Sequence, residues 1–138
     1  MSVRRLSVLL LALVPLAVFA GQGGWNASTS GVMLTYRGQL FNSAPLAPAP
    51  LQGVKPDNSI TVVYWRYAID GVYDPGLRVK LCTVQRCAEI EGGSGQTLAF
   101  RGLPATSEFR FTYFLEGKGR VYRPIDIRRV EIAVNYVY

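Results

Sequence analysis

The chain is expected to be all-β, an antiparallel β-sandwich or small open barrel carrying one hairpin disulfide. Three observations lead there. From Ser59 onward, short stretches rich in Val, Ile, Tyr, Phe and Thr alternate with Gly, Pro and Asp, the pattern of strands broken by turns. No long stretch carries an apolar stripe of helical period. The two cysteines, Cys82 and Cys87, sit within this pattern with only Thr83-Val84-Gln85-Arg86 between them.

In chain order, the first segment reads as a leader. Arg4 and Arg5 precede an apolar run from Leu6 to Phe19, and Ala20 closes a small-residue pattern ahead of Gly21-Gln22-Gly23-Gly24. That three-part order is the organisation of a secretory signal peptide. The run is shorter than the roughly 20 residues that span a bilayer, and Pro15 interrupts it. Residues 1–20 are therefore expected to be cleaved on export, leaving residues 21–138 as a single β domain that does not span the membrane.

Candidate strands run from Gly31 to Arg37, Ser59 to Ile69, Leu77 to Cys82, Cys87 to Glu91, Thr97 to Arg101, Glu108 to Leu115, Arg120 to Tyr122 and Arg129 to Val137. Their number and short connections suit a sandwich or barrel. The 44–57 segment contains four prolines, Pro45, Pro48, Pro50 and Pro56. Proline removes a backbone donor and holds its predecessor extended, so this segment is expected to be a surface connection.

Alternation assigns the faces. Val130, Ile132, Val134 and Tyr136 are expected inside the last strand, and Phe109, Phe111, Tyr113 and Leu115 inside an earlier one. In the strand through Trp65, Val63, Trp65 and Tyr67 share the core face. Tyr64 and Arg66 share the other, which makes them the candidate stacking or partner patch.

An exported chain matures where thiols oxidise, so Cys82 and Cys87 are expected to pair. Set opposite each other on antiparallel strands, they place Lys80 across from Glu89 and Arg78 across from Glu91. The other face then pairs Val79 with Ile90 and Leu81 with Ala88, giving the hairpin one charged and one apolar side. Gly92-Gly93-Ser94-Gly95 is expected to be a hairpin turn using positive φ, because a phosphate cradle would need a helix to follow and a strand follows here.

Several functions are disfavoured. The chain contains no His, which removes histidine-based nucleophilic triads and histidine metal sites. Two cysteines spaced as a hairpin lack the Cys-x-x-Cys arrangement of a redox pair. The nine acids show no context for paired-carboxylate hydrolysis. No catalytic residue, cofactor or metal is therefore expected. Subtracting Arg4 and Arg5 from 15 basic side chains leaves 13 against 9 acidic ones, a net charge of +4. Those cations are scattered instead of clustered, which argues against nucleic acid as a partner.

Trp65-Arg66-Tyr67, the run Gly76-Leu77-Arg78-Val79-Lys80-Leu81-Cys82, Cys87, Glu89, Gly92, Ser94-Gly95, Thr97 and Val134-Asn135-Tyr136, with Gly24-Trp25 ahead of Gly31-Val32, together resemble the flagellar protein FlhE family. The resemblance implies a periplasmic β-sandwich protein of Gram-negative bacteria, tied to flagellar biogenesis or swarming and not to a catalysed reaction. It implies partners at the flagellar export apparatus or growing rod, with a chaperone role or a plug role limiting proton leakage. It transfers no site residues. The second reading is a module that binds periplasmic glycan such as peptidoglycan, motivated by a sandwich rich in Tyr and Trp.

Overall fold

Residues 21–138 are described by a computed structural model, and the leader expected at residues 1–20 lies outside them. The described residues form β1 (Gln22–Thr29), β2 (Met33–Arg37), β3 (Leu40–Asn42), a 3-10 turn (Pro50–Gln52), β4 (Ser59–Asp70), β5 (Leu77–Cys82), β6 (Cys87–Ile90), β7 (Ser94–Thr97), β8 (Arg110–Leu115) and β9 (Gly119–Val137). The first sheet runs β1-β9-β4-β7, with β2 also paired to β9, and the second runs β3-β8-β5-β6. Every pairing is antiparallel.

The sheets meet through the faces that alternation marks. β4 buries Val63, Trp65 and Tyr67, β9 buries Val130, Ile132, Val134 and Tyr136, and Phe109 with β8's Phe111, Tyr113 and Leu115 completes the opposite wall. Tyr67 stands edge-on to Phe111 and Tyr113, with ring centroids 6.1 and 5.6 Å away. Such edge contacts contribute about 0.5–1.5 kcal/mol beyond burial. The buried Trp25 of β1 donates its Nε1–H to the Ala105 carbonyl at 2.7 Å, which anchors the first strand to the loop beyond β7.

Several expectations need correction. The two strands expected at 120–122 and 129–137 are one strand, β9, with a register shift against β4 and Arg129 at φ 54°. Pro124 is tolerated within it because β4's pairing begins at Asp126, so the upstream part of β9 is open on that edge. The strand expected at 97–101 is displaced to β7, and Gly92, at φ 77°, turns the chain from one sheet to the other instead of closing a hairpin. Gly95 lies against the Trp65 ring, where an added Cβ would come within 2.6 Å. β1 and β3 were absent from the expectation, and Leu46 of the Pro-rich connection is buried and bridges Phe109, although most of that connection is exposed.

The cysteine hairpin has the expected register, Val79↔Ile90, Lys80↔Glu89, Leu81↔Ala88 and Cys82↔Cys87, and the disulfide is formed. Arg78 does not meet Glu91. β6 ends at Ile90 as the chain leaves for the first sheet, and Arg78 pairs with Glu116 at 3.0 Å. The Thr83 hydroxyl accepts from the Gln85 and Arg86 amides, each at 3.2 Å, so the turn is already shaped by hydrogen bonds. Closing so short a loop stabilises by about 2 kcal/mol on chain entropy, comparable with burying a single large apolar side chain. Replacing Cys82 and Cys87 together by Ser is expected to lower unfolding stability by about 2 kcal/mol without unfolding the domain. Denaturant unfolding with matched slopes checks this, and a change near zero would show that the turn alone holds the hairpin.

Arg37, at the end of β2, forms an ion pair with Asp74 in the loop before β5 and donates to the Glu116 carbonyl at 3.1 Å. Asp74 also accepts from the Gly76 amide at 2.8 Å. The Arg37 hydrogen bond holds the Asp74 carboxyl below its ordinary range, against the opposing effect of partial burial. A carboxyl with a depressed native pKa stabilises fully above its unfolded pKa, and that contribution is lost as pH falls through the native value. Asp74→Asn is therefore expected to lower the unfolding midpoint at pH 7 and to match the parent in strong acid, checked by midpoints measured from pH 7 downward.

Candidate functional site

The register of the first sheet sets the mainly polar residues of its outer surface in rows. Gln96, Tyr64, Ala133 and Asn26 lie side by side across β7, β4, β9 and β1, and Ser94, Arg66, Glu131 and Ser28 form the adjacent row. Together they line a shallow cleft of about 720 Å³. The two candidates from sequence, Tyr64 and Arg66, are thus neighbours on one strand at the middle of this cleft. Tyr64 is 42 % exposed.

Arg66 is 3.5 Å from Glu131, with the two side chains 71 % and 45 % exposed. A pair so open to solvent contributes about 0–1 kcal/mol, so Arg66 can exchange Glu131 for a partner's acceptor at small cost. Glu131 was not singled out from sequence, although its place between the buried Val130 and Ile132 puts it on the outer surface. Asn26, Ser28, Ser94 and Gln96 carried no signal, because they meet Tyr64 and Arg66 only through strand pairing. The disulfide lies on the other sheet and takes no part in this cleft.

The cleft offers hydroxyls, amides, one guanidinium, one carboxylate and one exposed ring. Such groups can hold and orient a partner by hydrogen bonds and charge. For a glycan platform this cleft supplies one exposed ring, Tyr64, because Trp65 is buried. Among the described residues, no three His, Cys, Asp or Glu side chains stand together as a metal site, and no helix is long and apolar enough to cross a membrane.

A second cavity, of about 740 Å³, opens where β6 ends and the chain crosses to β7. Tyr67, Ile69, Leu77, Val79 and Ile90 line its apolar side, with Arg78, Lys80 and Glu89 among the charged residues around it. Behind Tyr67, the fully buried Tyr113 hydroxyl has no hydrogen-bond partner among the described residues. Burial, with a smaller effect from Tyr67, holds its pKa above the ordinary tyrosine range.

Residues 31–137, which include β2 to β9, match the family model of the flagellar protein FlhE. The chain belongs to the FlhE family. It is 42 % identical over 132 residues to the flagellar protein FlhE of Escherichia coli (strain K12), covering 94 % of this chain and 98 % of that one. It is 35 % identical over 126 residues to the Yersinia enterocolitica FlhE, covering 91 % and 89 %. A solved structure described as "Crystal Structure of FLHE" superposes with a TM-score of 0.78 at 38 % identity, over 86 % of this chain and all of that one. FlhE is a flagellar accessory family and not a known enzyme family, so the chain is a flagellar accessory protein.

In this FlhE chain the Tyr113 hydroxyl is buried without a partner among the described residues. Removing a polar group that has no partner relieves its desolvation, so Tyr113→Phe is expected to be neutral or to stabilise by about 1 kcal/mol. Denaturant unfolding checks this, and a loss of that size would show that the hydroxyl holds a bound water.

Proposed function

We propose that this FlhE protein is a periplasmic, non-enzymatic accessory of flagellar assembly that holds a component of the export apparatus or rod by contact through the outer surface of its first sheet. The observation that carries the reading is the pairing of an exposed Tyr64 ring with an Arg66 guanidinium whose only ion-pair partner among the described residues is the weakly held Glu131. An exposed ring and a readily released cation at the centre of a rigid sheet suit recognition of another protein. The sheet beneath is fixed by its core, so the contact surface is preorganised and binding does not have to order it.

A holding role and a proton-leak plug make different demands. A plug must act wherever the export gate is open, so a strain lacking this gene should acidify under mild external acid only when the gate is present. A holding role predicts no such shift. Combining Tyr64→Ala with Arg66→Glu is expected to abolish complementation of swarming while leaving thermal unfolding and periplasmic amount unchanged. Full complementation by that double variant would reject the outer surface as the contact.

A further inference from the structure

The edges of the two sheets are unequally protected. β3 is three residues long, β6 and β7 are four each, and β2 is five with a register shift against β9. β6 also carries Glu89 and is tied by the disulfide. Short length, charge and irregularity are the devices by which proteins keep sheet edges from recruiting further strands. β1 has none of them. Its eight residues, Gln22-Gly23-Gly24-Trp25-Asn26-Ala27-Ser28-Thr29, contain no charge and no proline, and they pair with β9 in unbroken register.

That register fixes which backbone groups face outward. Gly21 and Tyr138 exchange both of their backbone hydrogen bonds, at 3.1 and 3.0 Å, and Gln22↔Val137 to Thr29↔Val130 follow in sequence. In an antiparallel ladder, hydrogen-bonded pairs alternate with pairs whose N–H and C=O point away. Gly23, Trp25, Ala27 and Thr29 therefore bond to β9, and Gln22, Gly24, Asn26 and Ser28 direct their amides and carbonyls to the open edge. All four residues are exposed, the side chains of Gln22, Asn26 and Ser28 lying on the outer face, and Asn26 and Ser28 also line the outer cleft.

We infer that β1 receives an added strand: an extended, uncharged segment rich in Ser, Thr or Asn, belonging to a flagellar subunit that is not yet assembled. This rests on the flagellar contact reading above and adds its mode. Only another backbone can match a row of alternating donors and acceptors. The hydroxyl and amide side chains along the outer face of β1 favour hydroxyl and amide neighbours across the new pair, while a charged segment would find no counter-charge on β1 itself. A second folded copy is the poorer occupant. Two rigid sandwiches joined through one short strand pair bury little of the roughly 1,200 Å² that stable complexes need. An unfolded segment can follow the edge and also lay its side chains toward the cleft.

The test uses the purified mature protein and short synthetic peptides tiled across flagellar rod and filament subunits. Binding is read by fluorescence anisotropy, and amide exchange is then measured by NMR with the tightest peptide. The expected binders are uncharged and rich in Ser, Thr or Asn, and they slow exchange at Gly24, Asn26 and Ser28 by about tenfold or more. Asn26→Pro removes one outward donor, and Asn26→Lys adds a guarding charge. Each is expected to weaken peptide binding by about tenfold with unfolding unchanged, and Asn26→Lys covers the case in which the proline variant fails to fold. The inference is overturned if no peptide binds, if binding survives both variants, or if the same amides are protected without peptide in a concentration-dependent dimer. Loss of swarming with the Tyr64 and Arg66 double variant but not with either Asn26 variant would overturn the added strand and leave the contact surface standing. Swarming intact in all of them would overturn both.

Discussion

β9 is the strand from which the first sheet takes its register. Its 19 residues pair with β1 and β2 along one edge and with β4 along the other. A strand that long in a twisted sheet must bend to keep its core side inward, and the bend falls at Arg129. Holding a residue with a side chain in the left-handed region costs about 1–2 kcal/mol. The cost is offset because the bulge re-aims the upstream half of the strand toward β2, where Leu34 and Ile125 meet and are buried. Arg128 beside the bulge pairs with Asp126 at 2.6 Å and Asp70 at 3.4 Å, exposed contacts that add little to stability.

The proposed contact surface depends on that same register. Tyr64 and Arg66 face outward because Val63, Trp65 and Tyr67 face inward, and a slip of one residue would exchange the two sets. Such a slip would expose three buried side chains, each worth about 1.5–3 kcal/mol of burial, a loss large beside the few tenths available from any surface pair. Glycine makes the close contacts possible at two points. The Tyr136 ring crosses β1 where a Cβ on Gly23 would come within 2.6 Å, and the Trp65 ring crosses β7 at Gly95. The rings cover backbone that has no side chain of its own, and the core extends to both margins of the sheet.

Much of this was legible in the sequence wherever alternation was strong. The inward residues of β4, β8 and β9 and the register of the cysteine hairpin follow from a period of two and from one covalent pair. β1 was not legible, because Gln22-Gly23-Gly24 has low strand propensity and is held by pairing to β9 and by Trp25, interactions distant in sequence. Pro124 and the adjacent arginines Arg128 and Arg129 looked like a break in β9, since proline usually ends a strand; only the absence of a β4 neighbour upstream of Asp126 makes it harmless. Half of the site, Tyr64 with Arg66, could be read from one strand. Glu131, Asn26, Ser28 and Gln96 could not be joined to it without the topology.

The placement of the aromatic residues bears on how tightly such a protein can hold anything. Binding energy at interfaces concentrates in a few large side chains, Trp, Tyr and Arg above all, and here both tryptophans are committed to the core. The outer cleft keeps one ring and one guanidinium, and the guanidinium is screened by solvent. Exposed charges of that kind speed encounter and select partners more than they slow dissociation. A surface so composed suits contacts that form quickly and are released. That behaviour fits the handling of subunits that must pass onward into a growing structure better than permanent membership of one.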